Sequence, residues 1–305
     1  MKPEHHEILS SIHKEANKNQ ADILELYPGI ALSFFSASEK DSFHICHDPL
    51  AQTLEINYCI SGRVGWHMNN GNQIYLGPGD FSLNTMDSCV NSWISLPNGS
   101  YEGLAIYIDL ENLSEHLPFP LAGSPITGTL LREKYCKNGM CTALAGNETL
   151  QQIFQAFYQS PKELQPAYQK VKVLELLLVL SQMEIRRENH LTEYRAEQVE
   201  TIRRIHDQLT RNLEHRYSIE SLSRQYLMNP TTLKNTFKSI YGTSIAAHIR
   251  EHRMKYAAQL LQSSSLSVAA IAQKVGYDSQ SRFSSAFKNQ YQMLPKEYRR
   301  KYHEI

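Results

Sequence analysis

Two short stretches in the last third of the chain place hydrogen-bonding side chains at helical spacing. Thr231, Lys234, Asn235 and Lys238 stand at i, i+3, i+4 and i+7 and share one helix face, while Leu233, Phe237 and Ile240 fall opposite. Further on, Gln280, Ser281, Arg282, Ser285 and Lys288 are left free by the inward positions Phe283 and Phe287. The acid between the two stretches and nearest to either face is Asp278, at the turn before the second. Amides, hydroxyls and guanidinium groups bond base edges, and ammonium groups bond phosphates. The chemistry on offer is recognition of a nucleic acid rather than bond cleavage.

The elements that position these faces form a doubled unit. Leu233, Phe237 and Tyr241 recur at an offset of 50 as Phe283, Phe287 and Tyr291, and Lys238 recurs as Lys288. The preceding Ile219, Leu222 and Tyr226 recur at an offset of 49 as Val268, Ile271 and Val275. The one-residue difference falls in a turn, where insertions are tolerated. Each unit reads as a short helix, a three- or four-residue turn and a second amphipathic helix, the outline of a helix-turn-helix. Between them Ile245 to Gln262 reads as one helix of about 27 Å, near the spacing of roughly 34 Å between successive turns of DNA. Ser218, Ser267 and Asn229-Pro230 stand where helix N-caps belong. About seven helices are expected from Val199 onward.

Charge supports the same reading. The formal net charge is +0, with 31 basic and 31 acidic side chains, yet residues 1–195 carry 14 − 22 = −8 and residues 196–305 carry 17 − 9 = +8. A basic domain on an acidic partner is an electrostatic footprint of nucleic-acid binding.

Residues 205–302 resemble the double helix-turn-helix domain of the AraC/XylS family of transcription regulators. The match lies in Ile271-Ala-Gln-Lys-Val-Gly276-Tyr277-Asp-Ser-Gln280-Ser-Arg-Phe283-Ser-Ser-Ala-Phe287-Lys288, followed by Leu294-Pro295-Lys-Glu-Tyr298-Arg299. The first unit is less regular: Leu227 stands where that family has a turn glycine, and Tyr226 where it has a small residue. In Asn229-Pro230-Thr-Thr-Leu233-Lys234 it is similar to a subgroup that includes siderophore-responsive regulators. By that resemblance, Thr231, Lys234, Asn235, Gln280, Ser281, Arg282 and Ser285 enter the major groove; the cations Lys238, Lys288 and Arg299 are expected to hold phosphates.

The N-terminal half reads differently. Ile30 to Phe35, Thr53 to Ile60, Arg63 to Met68, Gln73 to Leu76, Phe81 to Met86 and Leu104 to Ile108 are short apolar segments. Turn clusters such as Ser61-Gly62, Asn69-Asn70-Gly71-Asn72 and Gly77-Pro78-Gly79-Asp80 separate them, which predicts an antiparallel sandwich or barrel. Leu54 to Asp80 resembles the cupin-like sensor barrel of many members of the same family. Enzymatic cupins hold a metal with clustered histidines. Here His67 stands alone, with Gly65 two residues earlier and no histidine in the stretch following Asp80, so an iron oxygenase is not expected. Tyr58, Trp66, Trp93 and Tyr107 are candidates for an effector pocket, since such cavities are largely aromatic. Asn147 to Tyr158 and Pro166 to Arg187 have helical periodicity, and the second is apolar around most of its circumference. A homodimer formed partly by Leu174, Leu177 and Leu178 is expected.

The expected architecture is α+β and multidomain. A cupin-like sensing and dimerisation domain with dimerisation helices spans residues 1–190, a linker 191–198, and an all-α double helix-turn-helix domain 199–305. The expected partners are double-stranded promoter or operator DNA, a second copy of the chain, a small-molecule effector and RNA polymerase; activation is the expected mode. No metal or other cofactor is implied. The polar stretch Met1 to Gln20 predicts no secretory signal, and the longest aliphatic run, Leu176 to Leu180, is too short for a membrane span. Five scattered cysteines (Cys46, Cys59, Cys89, Cys136, Cys141) predict reduced thiols in a cytoplasm, and Cys136-x4-Cys141 lacks the neighbours of a metal site. Two rivals remain: a regulator whose barrel only assembles with itself or a partner protein, and a bifunctional DNA-repair methyltransferase, which needs an activated cysteine.

Overall fold

The strand-forming segments of the N-terminal half pair as two antiparallel sheets in the computed structural model, which describes residues 23–38, 43–45, 49–68, 71–90, 92–159 and 161–302. The expectations for Met1 to Gln20, Cys46 and Asn69-Asn70 lie outside the described residues. The chain divides into two compact units between Arg195 and Ala196.

In the first unit the strands are β1 (Ile23–Tyr27), β2 (Ile30–Ser38), β3 (Phe43–Ile45), β4 (Thr53–Gly62), β5 (Val64–His67), β6 (Asn72–Leu76), β7 (Phe81–Thr85), β8 (Ser92–Ser95), β9 (Ser100–Asp109), β10 (Thr142–Leu144) and β11 (Tyr194–Arg195). One sheet runs β1-β2-β9-β4-β7-β10 and the other β11-β6-β5-β8-β3. All six expected strands are present. Those not expected are mostly two to five residues long, too short for alternation to register. At the β6–β7 turn, Asp80 accepts a hydrogen bond from the Gly77 N–H at 2.8 Å, and Gly79 takes a φ of 90° that disfavours a side chain.

Four helices complete this unit: α1 (Leu110–Glu115), α2 (Gly128–Tyr135), α3 (Glu148–Gln159) and α4 (Gln165–Gln182). Alternation points Leu54, Ile56 and Tyr58 of β4 and Leu104, Ile106 and Ile108 of β9 into one core with Ile153, Phe154 and Phe157 of α3 and Leu176, Leu177 and Leu180 of α4. α4 stops at Gln182, short of the expected Arg187, because α2 caps it: Lys134 Nζ donates to the Leu180 and Ser181 carbonyls at 2.9 and 2.8 Å, and the Tyr135 hydroxyl to Leu180 at 2.8 Å. The expected dimer residues divide. Leu174 and Leu177 are buried in this core and face no partner, whereas Leu178 is exposed. The outward apolar stripe is instead Leu164, Tyr168, Val171 and Leu178.

The segment 191–198, expected as a linker, is largely built into structure. Leu191 N–H donates to Ala143 at 2.9 Å, Tyr194 and Arg195 pair with Gln73 and Asn72, and the next helix begins at Ala196. A polar composition concealed these bonds because they are made by the backbone.

The second unit is helical among its described residues: α5 (Ala196–Arg211), α6 (Ile219–Gln225), α7 (Pro230–Tyr241), α8 (Ile245–Ser263), α9 (Val268–Lys274), α10 (Gln280–Tyr291) and α11 (Pro295–Tyr302). Ser218 and Ser221 cap α6 reciprocally, Asn229 caps α7 through Thr231 and Thr232, and Ser267 and Ser279 cap α9 and α10. Leu222, Leu233, Phe237 and Ile240 are buried around the first helix pair. Ile271, Val275, Phe283 and Phe287 are buried with Met254 and Leu261 of α8 around the second. Each pair thus hides the apolar face that its spacing defines.

Candidate nucleic-acid interface

Asn229, with Pro230 at the first helical position, starts α7 so that its outer face carries Thr231, Lys234, Asn235 and Lys238, all exposed. Ser279 starts α10 in the same way, and Gln280, Ser281, Arg282, Ser285 and Lys288 are all exposed on it. The two faces therefore present the ammonium, guanidinium, amide and hydroxyl groups that the spacing implied. Asp278 does not neutralise Arg282: its carboxylate takes Arg216 at 2.7 Å instead.

Arg299 is placed differently from its expected role. Its Nε donates to the Leu261 carbonyl at 3.4 Å and a terminal nitrogen to the Leu266 carbonyl at 2.5 Å. It closes the C-terminal end of α8 and the loop beyond, where helical carbonyls lack partners, so its fork is committed to the protein rather than to phosphate.

Two arginines that the periodicity did not single out hold the helix pairs in place. Arg253 of α8 donates to the carbonyls of Leu213, Gly276 and His215 at 2.9, 3.2 and 3.3 Å, joining the loop before α6 to the turn between α9 and α10. Gly276 sits there at a φ of 78°, against Arg253 and the Leu213 carbonyl, with no room for a side chain. Arg216 reaches the same turn through Asp278. Their only sequence signal was a cation on a long, otherwise ordinary helix and another in a loop. In the first pair, Tyr226 turns its hydroxyl to Gln208 of α5 at 2.6 Å. Leu227 next to it is in the left-handed region, with φ 51°, and is 94% exposed.

The four aromatic residues expected to line a pocket do not converge. Tyr58 is buried in the helix-covered core, stacked on Phe154 with centroids 4.2 Å apart. Tyr107 points to the opposite face of its sheet, among Ala31, Met86 and Ala105. Trp66 packs near Val64 and Ile74, and Trp93 is 55% exposed beside His44. Strand alternation and separate sheets send them apart. A concavity of about 390 Å³ opens instead between α1 and α2, lined by Gln52, Glu111, Ser114, Thr129 and Arg132 among others. No disulfide forms among the described cysteines, and burial pushes the thiols of Cys59 and Cys136 up to about 12 and raises that of Cys141 as well.

Residues 222–301 match the family described as Helix-turn-helix domain. The chain is 41% identical over 86 residues to the HTH-type transcriptional regulator AlkR of Acinetobacter baylyi, covering 28% of each chain. It is 38% identical over 79 residues to the HTH-type transcriptional regulator ExsA of Pseudomonas aeruginosa, covering 26% of this chain and 28% of that one. Thus the similarity spans little more than a quarter of the length of either relative. A longer alignment, 24% identical over 259 residues, reaches the virulence regulon transcriptional activator VirF of Yersinia enterocolitica and covers 79% of this chain and 86% of that one. No helix among the described residues is long and apolar enough to cross a membrane.

Proposed function

We propose that the chain is a transcription regulator of the AraC type that binds double-stranded promoter or operator DNA, a reading supported by the match of residues 222–301 to a helix-turn-helix domain family and by the similarity to AlkR. The observation that carries this is the pair of exposed, acid-free donor faces on α7 and α10 within a unit of charge 17 − 9 = +8. In this reading α6–α7 and α9–α10 are two helix-turn-helix units. Thr231, Lys234, Asn235, Gln280, Ser281, Arg282 and Ser285 face base edges, while Lys238 and Lys288 hold phosphates. The two antiparallel sheets act as a cupin-like sensor for a small effector, in a cytoplasmic protein that activates RNA polymerase. A second copy of the chain covers the α4 stripe Leu164, Tyr168, Val171 and Leu178. The dispersal of Tyr58, Trp66, Trp93 and Tyr107 favours a second reading of the sheets, in which they only assemble the regulator.

Competition binding against a randomised operator pool tests the assignment. Arg282→Ala should cost about 1–3 kcal/mol on the cognate site and flatten discrimination at one or two base pairs, since a guanidinium bonds guanine O6 and N7 together. Lys288→Ala should weaken cognate and random DNA alike and reduce the salt slope by about one. An unchanged base preference in Arg282→Ala refutes base reading by that residue.

A further inference from the structure

Three imidazoles meet inside the second unit, away from both donor faces. His248 and His252 lie at i and i+4 on α8, hence on one face a turn apart, and α5 brings His206 against them. The ring centroids are 5.0 Å apart for His206–His248, 4.6 Å for His248–His252 and 5.8 Å for His206–His252. One ligating nitrogen from each ring lies within 4.8 Å of the others.

We propose that His206, His248 and His252 bind one divalent transition-metal ion of the zinc type. Metal–imidazole bonds of about 2.0–2.1 Å hold tetrahedral ligand nitrogens roughly 3.4 Å apart, so modest ring rotations complete the site. A second observation points to a ligand. His248 is only 6% exposed, and its Nε2 is buried with no hydrogen-bond partner. A buried polar atom left unsatisfied is costly, and an ion at the centre of the cluster satisfies it. The nearby acids do not fill this role: Glu251 is held by Lys255 at 2.8 Å, and Asp207 lies 3.5 Å from both His206 Nδ1 and Arg211. Burial lowers the pKa of all three imidazoles, leaving them neutral and able to ligate at pH 7.

The half-buried His206 and His252 give the ion a route in, and three protein ligands leave a fourth position for water or another small donor. The ion joins α5 to the helix that leads from the first helix pair to the second. Tyr241, the last residue of α7, stacks on His206 at 4.4 Å, so the same bracket stiffens the first pair. The site stands apart from the DNA-binding reading.

The test uses the full-length protein stripped with a chelator and titrated with Co²⁺ by visible absorption and with Zn²⁺ by calorimetry. The expected result is one equivalent with the strong d–d bands of four-coordinate cobalt, weakened at least about tenfold in both His206→Gln and His252→Gln. X-ray absorption of zinc-loaded wild-type protein should show a shell of three imidazoles, which decides the matter even where a variant misfolds. Absence of a stoichiometric site, its full retention in either folded variant, or a shell with fewer than three imidazoles overturns the proposal.

Discussion

Leu227 is a backbone liability that one substitution should relieve. It occupies the left-handed region at φ 51° and is 94% exposed, whereas the second helix pair places Gly276 at its turn at φ 78°. A left-handed conformation costs an L-residue about 1–2 kcal/mol, and so exposed a side chain offsets little of it by burial. Glycine adopts the conformation freely but loses about 0.5–1 kcal/mol more chain entropy on folding. Leu227→Gly should therefore stabilise the second unit by about 0.5–1 kcal/mol. Both tryptophans, Trp66 and Trp93, lie in the first unit, so fluorescence reports the wrong part of the molecule. Native-state hydrogen exchange at the amides of α6 and α7 is the suitable assay, and protection there should rise roughly two- to fivefold. Leu227→Ala keeps the Cβ and the strain, and should leave exchange within about 0.5 kcal/mol of wild type. If Ala matches Gly, or Gly gives no gain, backbone strain at this turn is not what limits stability.

Gln292, the residue after α10, is at φ 55° where α7 ends on Gly242 at φ 78°, so Gln292→Gly should give a gain of the same order by exchange in α10. Arg253→Met removes hydrogen bonds to three carbonyls and should cost about 2–3 kcal/mol by urea denaturation followed by far-UV circular dichroism, with Arg253→Lys restoring less than half because it lacks the fork. With their thiols pushed up to about 12, Cys59 and Cys136 carry roughly one part in 10⁴ thiolate at pH 8, so iodoacetamide should label them orders of magnitude more slowly in the native than in the urea-unfolded protein; equal rates would contradict their burial. Val171→Lys with Leu178→Lys charges the exposed α4 stripe and should give monomers by sedimentation at tens of micromolar, a rough scale for modest dimers, without lowering stability; a wild-type protein that is itself monomeric there removes the stripe as an interface.

What the sequence determined by itself was local. The faces of α7 and α10 follow from residues three and four apart, and the caps at Ser218, Asn229 and Ser267 from side chains that bond amides two or three residues on. Six strands of the first unit declared themselves by apolar runs between glycine turns. Contacts between elements were decided by the tertiary structure. Asp278 chose Arg216, 62 positions away, over Arg282 four residues along. Arg299 was drawn from the expected phosphate role by the open carbonyls at the end of α8. In α4 nearly every side is apolar, so periodicity could not say that Leu174 and Leu177 face inward while Val171 and Leu178 face out. Likewise the His248–His252 spacing is visible in the chain, but His206 joins it only because α5 packs across α8. Helical and strand periods encode which side of an element is apolar; they carry no information about which distant element that side will meet.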